Sequence, residues 1–472
     1  MIKPTKAEFI ELAKKGNLIP VYKTIEMGDE TPLTAFKKIE SDYAFLLESI
    51  EGGEKIARYS FIGSNPQFVF RSGADKDNPF HELKRFMRQY RVVNVPGLPR
   101  FHGGMVGYIG YDSIRYIEPR IPCKNKDELN VPEMLFMLTD TLIAFDHVQK
   151  KIILVSNAQV EDKAHTAYEQ AVQAIHDLEE KLRKEVQLRE LKSAEKELYI
   201  SSNFSKEKYK EVVERAKEYI KTGEIIQVVP SQRFEAPFHR NGLDAYRVLR
   251  EINPSPYMYY LKMDDMSLVG SSPEVMVRLE EGECTIRPIA GTRPRGKDWV
   301  EDNRLEAELL ASEKEIAEHI MLVDLARNDL GRVCDYGSVE VSDFKIIERY
   351  SHVMHIVSNV RGKIKKGKDC FDLIKASFPA GTVSGAPKVR AMEIIDELEN
   401  SRRGPYAGCV CYFGFSGELD SAITIRTILL KDKKAYVQAG GGIVADSDPE
   451  EEYLETCNKA RALLTALERL KS

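Results

Sequence analysis

Two stretches of this chain place carboxylates at helical spacing. In Glu313-Lys314-Glu315-Ile316-Ala317-Glu318-His319-Ile320-Met321-Leu322-Val323, Glu315 and Glu318 stand three apart and share one face, while Ile316, Ile320 and Val323 form an apolar stripe. In Pro449-Glu450-Glu451-Glu452-Tyr453-Leu454-Glu455-Thr456-Cys457-Asn458-Lys459, the residues Glu452, Glu455 and Lys459 again fall on one face, with Asp448 as the expected cap and Pro449 at the first helical position. Hard divalent cations take oxygen ligands, and Mg²⁺ is held by one or two carboxylates with water and substrate completing its shell. Two such helices can share one ion. Taken singly, each reads as readily as a solvated acidic face.

Three glycine-rich segments accompany them: Ala290-Gly291-Thr292-Arg293-Pro294-Arg295-Gly296 after a strand-like run, Gly440-Gly441-Gly442 after Val437-Gln438-Ala439, and Phe378-Pro379-Ala380-Gly381-Thr382-Val383-Ser384-Gly385-Ala386-Pro387-Lys388 leading into a helix. Glycines after a strand free backbone N–H groups to face an anion, and a helix N-terminus adds positive potential. None is a G-x-x-x-x-G-K-[ST] phosphate loop, and each alone is also an ordinary tight turn.

These segments need a large scaffold. The chain has 472 residues, 43% of them hydrophobic, enough for a substantial core in two or three domains. Basic and acidic residues number 69 and 74, a net charge of −5, so nothing marks a nucleic-acid surface. No apolar run approaches a membrane span, and Met1 to Glu8 lacks the apolar centre of a signal peptide. Seven scattered cysteines without C-x-x-C spacing read as free thiols, and a cytoplasmic location is expected.

Short apolar runs such as Ala44-Phe45-Leu46-Leu47, Gln67-Phe68-Val69-Phe70 and Ile152-Ile153-Leu154-Val155 predict strands in residues 15–155. A charged, Gly- and Pro-free stretch from Glu161 to about Leu191 predicts a solvated helix, making 156–200 a helical connector. Residues 201–468 form the second part, opened by a helix that Ser205 can cap. Strands and helices come in blocks without βαβ alternation, which predicts an α+β fold.

Five segments stand together in one order: Pro288–Gly296; Glu315–Leu330 with its Leu325-Ala326-Arg327-Asn328-Asp329-Leu330 tail; Arg349-Tyr350-Ser351-His352-Val353-Met354-His355; Phe378–Arg390; and Gly440–Lys459. In this the chain resembles the chorismate-utilising enzymes, and among them the large-subunit family of anthranilate synthases, strongly over about 200–465 and more loosely over about 15–155. The resemblance implies a two-part fold of antiparallel sheets packed together with helices outside. It implies Mg²⁺ on Glu318 and Glu455, with Glu315 and Glu452 in support, and chorismate contacts at Gly291, Thr292, Tyr406, Arg426, Gly440, Gly441 and Gly442. The Arg426 fork suits a carboxylate, and Lys459 can add a second anion contact. By the same resemblance Glu274 is the acid that assists departure of the C4 hydroxyl, and His355 and Thr382 stand near the reacting ring. A strand over His352–Val360 would point His352 and His355 to opposite sides and exclude a zinc pair. A structural role for His355 stays open.

Two positions separate relatives. Water-activating members carry lysine where this chain has Gln227, and members with a nucleophilic lysine carry it where this chain has Ala290. Neither Gln nor Ala can do that work, so an external nucleophile, ammonia, is expected. No G-x-C-x-G elbow is present, so ammonia is expected from a separate glutamine amidotransferase subunit in a hetero-oligomer. The readings kept beside this one are an aminodeoxychorismate synthase component I and a non-catalytic chorismate-binding sensor or scaffold. Finally, Leu46-Leu47-Glu48-Ser49 and Asn253-Pro254-Ser255-Pro256-Tyr257-Met258 match segments that bind the inhibitor tryptophan in the family. Ser49, Pro256, Tyr257 and Met258 are the expected contacts, with Lys55 or Arg58 for the ligand carboxylate.

Overall fold

The computed structural model describes residues 1–50, 58–72, 78–191, 198–350 and 353–470. The fold is α+β, and the strand pairings within its two large sheets are antiparallel. Hydrophobic runs alternate between the two faces of each strand. Where both faces are covered the whole strand is buried, as in Gly104–Ile109 and Cys409–Gly414. Val106, Tyr108, Val410 and Tyr412 enter the core between the sheets, with Phe61 and Phe101. Met105, Ile109, Cys409, Cys411 and Phe413 turn the other way, into a second core with Phe371 and Met392. Each large side chain so buried contributes roughly 1.5–3 kcal/mol.

Both sheets run across the division read from sequence. In the twelve-stranded sheet, six strands from within residues 2–159 lie beside six from within 201–440. The seam is Tyr43–Glu48 against Tyr257–Met263, with Leu47 opposite Tyr259 and Glu48 opposite Met258. In the other large sheet the seam is Gly104–Ile109 against Cys409–Gly414. Glu48 is buried at the first seam, where it accepts hydrogen bonds from Tyr246 (2.6 Å) and Arg250 (3.1 Å).

The connector helix spans Ala164–Leu182, shorter than expected and not solvated all round. Ala167, Ala171, Ile175, Leu178 and Leu182 are buried at i, i+4, i+8, i+11 and i+15, one stripe against the sheet. Small alanines at two of these positions had hidden the stripe among charges. Ser205 caps Lys206–Lys221, accepting from Lys208 N at 3.3 Å. Asp448 caps Pro449–Arg469, accepting from Glu450 N (2.9 Å) and Glu451 N (3.0 Å).

Candidate active site

Helices Glu313–Gly331 and Pro449–Arg469 bring their N-terminal turns to one cleft. Ser312 caps the first, accepting from Glu315 N at 3.4 Å. Glu318 is half-buried, and its carboxyl is pushed up by burial and by the charges of Glu315 and Glu455, opposed by Gln227 and Lys459. Gln227 Nε2 donates to Glu318 Oε1 at 3.4 Å. Glu452 is buried and likewise pushed up by burial; Ser447 donates to its Oε1 at 2.7 Å, while Oε2 has no partner. That oxygen faces Gly441, where an added Cβ would lie 2.7 Å from it. Glu455 is exposed, and its Oε1 lies 2.5 Å from the Lys459 ammonium, which also donates to Gly440 O at 3.0 Å.

Four glutamates thus share one field, yet among the described residues no three carboxylate, imidazole or thiol groups converge to cage an ion. An orphaned buried oxygen on Glu452 and a raised Glu318 fit a cation held by one or two carboxylates, with the rest of its shell from solvent or substrate. They do not fit a site built wholly from protein ligands.

The first glycine segment is not a turn after a strand, as the sequence suggested. Gly291 lies inside strand Ile289–Pro294, at an irregularity in its pairing with Val353–Lys363. Its φ of +67° suits glycine, and a Cβ there would sit 3.1 Å from Glu315 Oε2. The bulge exposes the Gly291 carbonyl to His355 Nδ1 at 3.0 Å, with Thr292 Oγ1 at 3.1 Å. A carbonyl only accepts, so Nδ1 carries the proton and Nε2 keeps its lone pair. Burial lowers the pKa of His355, favouring this neutral form. His352 lies outside the described residues.

Opposite stands Glu274, between strands Met266–Ser272 and Val275–Glu280. Thr382, in the turn Gly381–Val383, donates to Glu274 Oε1 at 3.0 Å. Burial pushes the Glu274 carboxyl up to about 8, against the opposing effects of Thr382 and Lys459. The side chain is half-buried, and the upward shift favours its protonated form. Arg426, with φ of +51° between two strands, donates to Lys459 O at 2.5 Å. Tyr406 is buried with its hydroxyl beside Gly440, where a Cβ would meet it at 2.9 Å. A Cβ on Gly442 would strike Gln227 Nε2 at 2.3 Å. Carboxylates, an acid, a neutral imidazole, a guanidinium and an ammonium therefore line one cleft.

A separate cavity of about 60 Å³ lies at the seam, lined by Ser49, Pro256, Tyr257 and Met258 together with Arg100 and Arg278. Arg58 does not line it, being paired with Asp146 at 2.8 Å, and Lys55 lies outside the described residues. Buried Asp420 accepts from the Tyr257 hydroxyl at 2.9 Å and lies 3.3 Å from both Arg100 and Arg278. The two arginines were missed because no local spacing links them to residues 49 or 256; only strand pairing does.

Residues 42–465 match the model of the family described as chorismate binding enzyme. Anthranilate synthase component 1 of Acetivibrio thermocellus is 50% identical over 99% of this chain and 99% of its own length. The protein of that name from Aquifex aeolicus is 49% identical over 98% and 97%. The crystal structure of anthranilate synthase component I from Streptococcus pneumoniae superposes with a TM-score of 0.78 at 36% identity, covering 93% of this chain and 98% of that one. The menaquinone-specific isochorismate synthase from Escherichia coli shares the fold, with a TM-score of 0.73 at 19% identity over 98% of each chain.

Proposed function

This chain belongs to the chorismate-binding enzyme family, and from that premise we propose that it is the large subunit of an anthranilate synthase, a lyase acting in tryptophan biosynthesis. Chorismate and ammonia would give anthranilate, pyruvate and water: a C–N bond forms at C2, the C4 hydroxyl leaves as water, and the enolpyruvyl group departs as pyruvate.

The observation that carries this reading is Glu274, held by Thr382 at 3.0 Å with its carboxyl pushed up by burial, in a site with Gln227 and Ala290 at the two positions where the family resemblance gives lysine to the water-activating and nucleophilic members. The site has an acid for the leaving hydroxyl but no residue at those positions to attack or to activate water. Arg426 and Lys459 suit substrate carboxylates, and neutral His355 can take a ring proton at Nε2. Glu318 and Glu455, with Glu315 and Glu452, would hold Mg²⁺, which when bound neutralises the ring carboxylate beside these glutamates.

Ammonia would come from a separate glutamine amidotransferase subunit in a cytoplasmic hetero-oligomer, as the component 1 name of the relatives suggests. L-tryptophan would inhibit from the seam cavity. There Ser49 meets its ammonium, Tyr257 and Met258 its indole, and Arg100 or Arg278 its carboxylate.

The test is a product assay: purified chain, chorismate, Mg²⁺ and an ammonium salt, followed by anthranilate fluorescence. Anthranilate formation is expected. Aminodeoxychorismate as product, or binding without turnover, would instead establish one of the two other readings.

A further inference from the structure

Arg403 is 1% exposed in the molecule, an extreme for a guanidinium. It forks onto Glu399, with Nε 3.1 and 3.0 Å from the two carboxylate oxygens and Nη2 2.6 Å from Oε1. Its remaining donors reach two backbone carbonyls, Val383 O at 2.8 Å and Val229 O at 2.6 Å. Glu399 Oε1 also accepts from Ser231 N at 2.8 Å and Ser231 Oγ at 2.7 Å. The guanidinium lies over the rings of Tyr111 (4.5 Å) and Tyr406 (5.5 Å).

A buried ion pair is weak evidence for stability, because desolvation offsets attraction. What this pair holds is more telling. Val383 follows Thr382, the donor to Glu274. Val229 precedes Pro230, whose carbonyl accepts from Gly441 N at 3.3 Å. The planar fork spreads its donors over three nitrogens to span two carbonyls and a carboxylate in fixed directions; a lysine ammonium has only three donors, all on one nitrogen. We propose that Arg403, held by Glu399, is the positioning residue for the acid: it fixes the Thr382 turn against Glu274 and the Val229–Ser231 strand start against the glycine turn. This inference rests on Glu274 being the acid of the proposed reaction.

The test uses the full chain with ammonium as nitrogen donor. In Arg403→Lys and Glu399→Gln, kcat is expected to fall at least about tenfold while KM for chorismate changes by less than about threefold. Besides burial, the Thr382 hydroxyl and the Lys459 ammonium act on Glu274, both favouring its ionised form. Loss of the Thr382 contact therefore keeps Glu274 protonated to higher pH, and the alkaline limb of the kcat profile moves up. Thr382→Val moves it the same way, and adding it to Arg403→Lys gives no further displacement. A lowered unfolding midpoint with an unmoved limb in Arg403→Lys overturns the proposal, reducing the pair to a structural one. If that variant does not fold, Glu399→Gln, which keeps shape and an acceptor, decides in the same terms. A limb that persists in Glu274→Gln overturns the acid reading and the inference with it. A limb lost in Glu274→Gln but unmoved in Arg403→Lys overturns the inference alone.

Discussion

Tyr257 and Ser272 face each other across adjacent antiparallel strands, Tyr257 on the wall of the seam cavity and Ser272 two residues before Glu274. Ser272 Oγ donates to Ile423 O at 2.7 Å, and Ile423 N donates to Glu274 O at 3.0 Å. Ala422, next to Ile423, lines the same cavity. Cavity wall and acid are thus adjacent through the paired strands Tyr257–Met263 and Met266–Ser272 and through the hydrogen bonds that Ile423, at the end of strand Leu419–Ile423, makes to Ser272 and Glu274.

Tryptophan is accordingly expected to inhibit, and Ser49→Phe to relieve inhibition by filling the cavity while leaving turnover within about twofold of wild type. An inhibition titration on both proteins checks this. Equal sensitivity would sink the site, and an uninhibited wild type at millimolar tryptophan would sink the regulation.

Glu318→Gln or Glu455→Gln should abolish ammonia-dependent turnover without loss of fold, whereas Glu315→Gln or Glu452→Gln should cost roughly 10- to 100-fold if those residues only orient their neighbours. Steady-state rates against Mg²⁺ concentration, with circular dichroism as the fold control, measure both. Full activity of either of the first pair at limiting Mg²⁺ removes that residue from the metal site.

Activity should fall as pH rises through about 8, where Glu274 loses its proton. The sign for stability follows from the same shift. A carboxyl raised above its unfolded value of 4.5 makes the folded chain bind more protons between the two values, so its contribution to stability declines across that window and is gone above about 8. Glu274→Gln, slowed but still measurable in turnover and permanently neutral at this position, should therefore gain thermal stability relative to wild type as pH is raised from 5 to about 9. An unchanged difference across that range would show that the carboxyl titrates normally.

Glutamine should support no anthranilate formation by the isolated chain, whereas ammonium salts should. Product from glutamine with homogeneous chain would mean a glutaminase lies within it.

Much of the site was legible because chemistry and local geometry coincide in it. Helical spacing placed Glu315 with Glu318 and Glu452 with Glu455, and the caps at Ser205 and Asp448 follow from side-chain oxygens reaching the first free N–H groups. What was not legible depends on pairing between distant segments. Gly291 reads as a turn residue until Val353–Lys363 is laid beside it and the bulge appears. Arg100 and Arg278 reach residue 49 only through strand order. The Glu399–Arg403 pair had a visible i, i+4 spacing, but nothing in it foretold two backbone carbonyls as partners.

Because each large sheet is stitched from both ends of the chain, neither sheet can be completed by local pairing alone. Strand Tyr43–Glu48 gains its neighbour Tyr257–Met263 only after some two hundred residues have been made, so an N-terminal piece released early would present an unpaired, apolar strand edge. The molecule should thus tolerate a nick in the polar stretch 183–191 that follows Leu182 far better than truncation on either side of it. Two separately produced fragments divided there should regain activity only when refolded together.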